Sequence, residues 1–148
     1  MPKENKFVIH TDGGSRGNPG PAAVGVVIDA EDGSLKKEFG EYIGHATNNE
    51  AEYRAVIVAL KKLKALIGSG RAAASEILLM ADSELLVRQL NGDYKVSDKK
   101  IQGWFMEIWN LRLDFAAFSA VHIFREKNTD ADRMVNVTLD KELKGKLF

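Results

Sequence analysis

The chain has 148 residues, 45% hydrophobic and 28% charged, which suits one globular domain with its own core. It has no cysteine, so disulfides and thiolate metal sites are excluded, and a cytoplasmic location is expected. Its 21 basic residues balance 21 acidic ones, which alone argues mildly against a nucleic-acid partner, and its apolar runs are too short for a membrane span.

Residues 1–5 form a polar lead, and no targeting segment is expected before the first strand. Phe7-Val8-Ile9 opens a strand buried on both faces that runs through His10 and Thr11 to Asp12. Gly13 to Pro21 is too rich in glycine and proline for a regular element, and reads as a wide turn between antiparallel strands. It lacks the Gly-Lys-Ser/Thr ending of a nucleotide-binding loop, and a strand rather than a helix follows it. At the end of its strand, Asp12 is equally an ordinary turn former. Ala22–Ala30 is a second strand, with Val24, Val26 and Ile28 on one face and Gly25 and Val27 on the other. Asp32-Gly33 signals a hairpin, and Leu35–Ile43 returns as a third strand whose Lys36 and Lys37 suit a sheet edge.

Thr47-Asn48-Asn49-Glu50-Ala51-Glu52-Tyr53 opens the longest periodic helix, from Asn48 to about Ile67. Its apolar stripe is Tyr53, Val56, Ile57, Leu60, Leu63 and Ile67. Thr47 and Glu50 are spaced as a capping box, so folding explains most of Glu50. Glu52 lies at the border of the stripe, in line with Val56, Ala59 and Leu63. A carboxylate there either snorkels to water or has a buried partner.

The helix ends at Gly68-Ser69-Gly70, with a loose loop to Ser75. Ile77–Ala81 is a fourth strand, apolar throughout and therefore interior. Asp82-Ser83-Glu84 leads into a short helix through Leu90, stopped by Asn91-Gly92. Residues 98–117 read as a helix with Ile101, Trp104, Phe105, Ile108, Leu111 and Phe115 on one face. Ala120–Phe124 reads as a fifth strand, and Asp132–Leu143 as a final helix capped by Asn128 or Thr129. The expected architecture is a single α/β domain over 1–148, with a mixed five-stranded sheet flanked by helices.

Asp12 and Asp82 each follow a strand. If those strands are parallel neighbours, both carboxylates emerge at the carboxyl edge of the sheet, where open α/β sheets bind ligands. Asp82 also reads as a helix cap, and Asp132 as an acid complementing a helix N-terminus. Capping does not easily explain their convergence with Glu52, because four clustered anions repel unless a cation sits among them. Hard oxygen ligands, without cysteine or paired histidines, select Mg²⁺ or Mn²⁺ over zinc. Two such ions roughly 4 Å apart form the usual clamp for in-line phosphoryl displacement.

Thr11-Asp12-Gly13-Gly14-Ser15 with Gly17-Asn18-Pro19-Gly20-Pro21, then Thr47-Asn48-Asn49-x-x-Glu52, then Asp82-Ser83, then Asn128-x-x-Ala131-Asp132, resemble the four signature blocks of type 1 ribonuclease H. The resemblance holds in order and spacing and covers nearly the whole chain. It implies a ribonuclease H fold and endonucleolytic cleavage of the RNA strand of RNA–DNA hybrids, leaving 3′-hydroxyl and 5′-phosphate ends. It implies Asp12, Glu52, Asp82 and Asp132 as catalytic, metal-binding carboxylates for two Mg²⁺ ions, with Mn²⁺ as a substitute. Glu52 rather than Glu50 is then the ligand. One ion would activate a water and the other would stabilise the departing 3′ oxygen. The same resemblance implies substrate contacts at Gly13, Gly14, Asn18, Thr47, Asn48, Asn49, Ser83 and Arg125, some of them sensing 2′-hydroxyls. Turn and cap chemistry is the alternative role of the loop and the asparagines.

The chain departs from the family pattern in two places. Many members carry a Lys/Trp-rich helix and loop that grips the hybrid, where Asn91–Lys100 offers only Lys95, Lys99 and Lys100. Many place a histidine in the loop before the last helix, but Ile123–Asp130 contains none and His122 falls in the strand. His10 reads as a packed strand residue and His45 as a loop residue. Arg125 is the nearest cation to that place, with a strand-end pair to Glu126 as its alternative. Discounting four metal-neutralised acids leaves a surplus of four positive charges, which suits a modest phosphate binder. The expectation is a minimal, monomeric, hybrid-specific ribonuclease without an appended hybrid-binding domain or a membrane partner. The rivals are a relaxed nuclease that also cuts double-stranded RNA, and a non-catalytic module that binds nucleic acid or protein.

Overall fold

The computed structural model describes residues 5–146, so Met1–Glu4 of the polar lead lie outside the described residues. Strands β1 (Lys6–Ser15), β2 (Gly20–Ala30) and β3 (Lys36–Ala46) form an antiparallel meander. β4 (Glu76–Ala81) and β5 (Ala117–His122) add parallel to the other edge of β1, giving the order β3-β2-β1-β4-β5. The helices are α1 (Asn48–Ile67), α2 (Ser69–Ala73), α3 (Glu84–Leu90), α4 (Lys99–Leu111) and α5 (Thr129–Lys146). Among the described residues, no helix is long and apolar enough to cross a membrane.

Alternation along the strands puts Phe7, Ile9, Val26, Ile28, Ile77 and Leu79 on one face, where they pack against Tyr53, Val56, Leu60 and Leu63 of α1. Each such side chain contributes about 1.5–3 kcal/mol on burial, so α1 is pinned along its length by the stripe expected of it. On the opposite face α5 lies over Gly25 and Gly40, which are partners across the β2–β3 ladder. A Cβ on Gly25 would stand 2.0 Å from the Ala131 carbonyl oxygen, and one on Gly40 2.0 Å from Thr138 Oγ1. These two glycines let the helix backbone settle on the sheet, and that contact positions Asp132. Because α5 sits mainly over β2 and β3, the second faces of β1 and β4 are less covered than expected. Val8, His10, Leu78 and Met80 are only half-buried.

Several boundaries differ from expectation. β1 continues past Asp12 through Gly13-Gly14-Ser15, paired with Val24, Ala23 and Ala22, so the wide turn shrinks to Arg16–Pro19. A Cβ on Gly13 would stand 2.3 Å from the Ala51 carbonyl, so glycine here serves the approach of α1 rather than a turn. The third strand extends to Ala46, the loop over 68–75 contains α2, and the last helix starts at Thr129. The helix expected over 98–117 ends at Leu111 and gives way to a 3-10 turn over Arg112–Asp114. The fifth strand starts at Ala117 and ends at His122, three and two residues earlier than expected. The stretch Leu111–Phe118, with Arg112 and Asp114 set between apolar residues, fits either period. Pairing decides it, with Ala116 N–H donating to the Ser75 carbonyl at 2.8 Å and Phe118 opposite Ile77.

Candidate active site

The parallel ladder between β1 and β4 ends at the pair Thr11 and Ala81, so Asp12 and Asp82 leave neighbouring strands at one level. Asp12 is still paired with Gly25 on its β2 side, which fixes its backbone. Ser83 caps α3, its hydroxyl accepting from Leu86 N–H at 3.2 Å, so Asp82 is not needed as the cap. α1 delivers Glu52 just past its first turn. Asp12, Glu52 and Asp82 each bring one carboxylate oxygen within 4.8 Å of the others. Asp132, from the first turn of α5, stands outside that tight trio but borders the same cavity of about 340 Å³, and its carboxyl interacts with Asp12.

The acids are held without being neutralised. Gly13 N–H donates to Asp12 Oδ1 at 3.0 Å and to Glu52 Oε1 at 3.3 Å. Glu52 Oε2 is buried and receives no donor. Burial, followed by the charges of Asp12 and Asp82, pushes the Glu52 carboxyl well above the usual carboxylate range. Burial also pushes Asp12 up to about 7. Contact with Glu52 opposes that shift, while Asp82 and Asp132 add to it. Among the described residues, no basic side chain forms an ion pair with any of the four. A buried oxygen lacking a donor, in an all-carboxylate set whose two buried members, Asp12 and Glu52, are pushed up by burial, fits a hard divalent cation.

Asn128, expected as a helix cap or as part of a motif, is buried at 1% exposure and ties three of the acid-bearing segments together. Its Nδ2 donates to the Thr11 carbonyl at 2.9 Å and to Asp82 Oδ2 at 3.2 Å, while its backbone carbonyl accepts from Asp132 N–H. Being neutral, this donor orients Asp82 without competing for the charge that a metal needs. The signal in the sequence was an asparagine placed just ahead of a helix-borne aspartate.

Glu50 behaves as its spacing implied. Its side chain accepts from Thr47 N–H at 3.2 Å while the Thr47 hydroxyl accepts from Glu50 N–H at 3.1 Å. Lys100 Nζ lies 3.0 Å from Glu50 Oε2. Burial would raise this carboxyl, but Lys100 and Thr47 together hold it below the ordinary value.

The expected substrate residues divide between two cavities. Gly13, Gly14, Asn48 and Arg125 border the one with the four acids. Asn18, Thr47 and Asn49 border a second, of about 330 Å³, together with Glu50 and Lys100. Ser83 lines neither. Asn48 joins the two sides: its Oδ1 accepts from Ser15 N–H at 2.9 Å, and its backbone N–H donates to Asn18 Oδ1 at 3.0 Å. Arg125 forms no pair with Glu126. Lys95, Lys99 and Lys100, the weaker candidates for substrate contact, are all exposed, and Lys100 pairs with Glu50. The Lys95 carbonyl accepts from Gln89, which in turn accepts from the buried Tyr53 hydroxyl. That link secures the 91–98 segment to α1. His122 closes β5 and packs edge-on against Phe124, and His10 is held low by burial against the opposing charges of Asp29 and Asp130.

Residues 10–138 match the family described as reverse transcriptase-like. The chain is 40% identical over 129 residues to ribonuclease HI of Halobacterium salinarum, covering 87% of this chain and 62% of that one. It covers 36% of a bifunctional protein of Mycobacterium tuberculosis at 38% identity. It thus spans less than two thirds of these curated relatives. The crystal structure of RNase H1 from Halobacterium salinarum superposes with a TM-score of 0.84 at 38% identity, over 92% of this chain and 98% of that one. That of LC11-RNase H1 in complex with RNA/DNA hybrid gives 0.85 at 43% identity, over 93% and 99%. With its carboxylates on the same framework of strands and helices, the chain belongs to the type 1 ribonuclease H family.

Proposed function

We propose that this chain is a metal-dependent endonuclease that hydrolyses the RNA strand of RNA–DNA hybrids, leaving 3′-hydroxyl and 5′-phosphate ends. The observation that carries this reading is the trio Asp12, Glu52 and Asp82 within 4.8 Å, completed at the cavity wall by Asp132. The hybrid held by the similar LC11-RNase H1 supports the choice of substrate. The four carboxylates would hold Mg²⁺, two ions in the full reading, with Mn²⁺ as a substitute. Such ions, when bound, supply water activation and charge stabilisation for in-line phosphoryl displacement.

The protein's own part is positioning. Gly13 N–H sets the two buried carboxylates, and Asn128 sets Asp82. The cluster carries no internal counter-ion, so its charge remains for the metal. Asn48 has its carbonyl oxygen committed to Ser15, which leaves its amide hydrogens as donors for a substrate hydroxyl. Arg125, at the rim and without an ion pair among the described residues, is a phosphate contact.

The test is cleavage of a labelled RNA–DNA hybrid with and without Mg²⁺, beside RNA–RNA and DNA–DNA duplexes. Metal-dependent cutting of the hybrid RNA strand alone is expected. Cutting of RNA–RNA as well would establish the relaxed nuclease. Binding without cutting in any metal would establish the non-catalytic module.

A further inference from the structure

Arg16 stands in the short turn between β1 and β2, where its N–H donates to the Pro21 carbonyl at 2.8 Å. Its side chain leaves the turn towards α5. The guanidinium lies 2.5 Å from Asp140 Oδ1 and 3.5 Å from the Asn136 carbonyl oxygen. Arg16 and Asn136 both border the cavity that holds the four carboxylates. That cavity therefore carries two guanidiniums, Arg16 with an ion partner and Arg125 with none among the described residues.

The pair is poorly suited to holding the fold together. Its side chains are 39% and 67% exposed, and ion pairs so open to water add little stability. It is better suited to keeping a charge in place. A guanidinium loose beside four carboxylates would become their counter-ion and compete for the oxygens a hard cation needs. Asp140, two helical turns beyond Asp132, holds it at the rim instead. There its planar fork matches phosphate oxygens, and an exposed carboxylate is a partner it can leave cheaply.

We propose that Arg16 binds a backbone phosphate flanking the one that reaches the carboxylates, and that Asp140 is its resting partner, vacated when the substrate arrives. The proposal rests on the reading of the cavity as a hybrid-cleaving centre. The competing role is a clip fastening the turn to α5, and the two roles differ in sign. For a clip, losing either partner has the same effect. For a phosphate contact with a resting partner, losing Arg16 harms binding while losing Asp140 helps it.

Hybrid affinity is measured with Mg²⁺ in an Asp132→Asn background across a salt series, with Arg16→Ala, Asp140→Asn and both changes together. KM and kcat are measured with the same changes in the otherwise native chain, and melting temperatures confirm folding. Arg16→Ala is expected to weaken binding about tenfold and reduce the slope of log affinity against log salt by about one. KM rises while kcat stays within about twofold. Asp140→Asn is expected to tighten binding about two- to threefold, and that gain disappears when Arg16 is absent. Parallel weakening by the two single changes overturns the proposal, as does an Arg16→Ala variant with unchanged affinity and slope. So does a gain from Asp140→Asn that persists without Arg16. A native chain that cuts hybrid but shows any of these results rejects this inference alone. A native chain that neither binds nor cuts hybrid rejects the proposed function and this inference together.

Discussion

Glu50 and Glu52 stand two residues apart near the start of α1, and each is 9% exposed. Their carboxyls are nevertheless pushed in opposite directions. Glu50 faces the Thr47 cap and the Lys100 ammonium, which together overcome its burial. Glu52 faces Asp12 and Asp82, with only Gly13 N–H to oppose burial and repulsion. Equal exposure of the whole residue hides a difference at the carboxyl, which is deeply enclosed in Glu52 and near the surface in Glu50. What surrounds it decides: Glu50 is satisfied by the protein, and Glu52 is left for something the protein does not contain.

The largest expected effect lies on the Glu52 side. Glu52→Gln keeps the shape and removes a ligand charge. It is expected to lower hybrid cleavage by more than roughly a hundredfold, since even the outer partners of metal ligands are worth about 10–100-fold. A folded Glu52→Gln variant with near-native turnover would break the comparison.

Metal and stability come next. Millimolar Mg²⁺ is expected to raise the melting temperature of the native chain by a few degrees, because it binds the folded state preferentially. Asp12→Asn is expected to raise the metal-free melting temperature, by relieving repulsion, and to blunt the response to Mg²⁺. Scanning fluorimetry with and without chelator reads both, and an unchanged metal response in Asp12→Asn would contradict the cluster's role.

Proton linkage sharpens the same point. Asp12 is raised to about 7 and Glu52 is raised as well, whereas unfolded carboxyls titrate near 4. Between about pH 4 and 7 the folded, metal-free chain thus binds more protons than the unfolded one. The stability from Asp12 is full below about pH 4 and is lost as pH rises through about 7, and Glu52 shifts in the same direction. Chelator-treated native protein is expected to lose melting temperature relative to Glu52→Gln across that window. A constant difference between the two proteins would show that no proton is shared there.

The smallest effect lies on the Glu50 side. Glu50→Ala removes half of the capping box and the Lys100 pair, at a cost of about 0.5–2 kcal/mol, with most cleavage retained. Chemical denaturation measures the first and the hybrid assay the second. Loss of cleavage in a folded Glu50→Ala variant would reverse the roles of the two glutamates.

What could be read from the chain in advance was what is local or periodic. The capping box, the stripe from Tyr53 to Leu63 and the two aspartates after strands depend on neighbours a few residues away. The features that escaped depend on packing between distant segments. Gly13 looked like a turn residue because nothing local shows that α1 presses against it. Asp12 looked like a strand end, and is one only on the β4 side of its strand. The run around Leu111–Phe118 suits a helix as well as a strand until Ile77 and Leu79 take up pairing. Nothing local shows that Lys100 pairs with Glu50, fifty positions away. The family's order of motifs located the four carboxylates, but the bonds of Asn128 and the Arg16–Asp140 pair appear only in three dimensions.

The most direct test of the contrast is metal binding without substrate. Mn²⁺ is titrated into the native chain, Glu50→Ala and Glu52→Gln, and free Mn²⁺ is followed by electron paramagnetic resonance. The native chain and Glu50→Ala should bind Mn²⁺ alike, and Glu52→Gln should bind it at least tenfold more weakly. Native-like binding by Glu52→Gln, or loss of binding in a folded Glu50→Ala, would contradict the account.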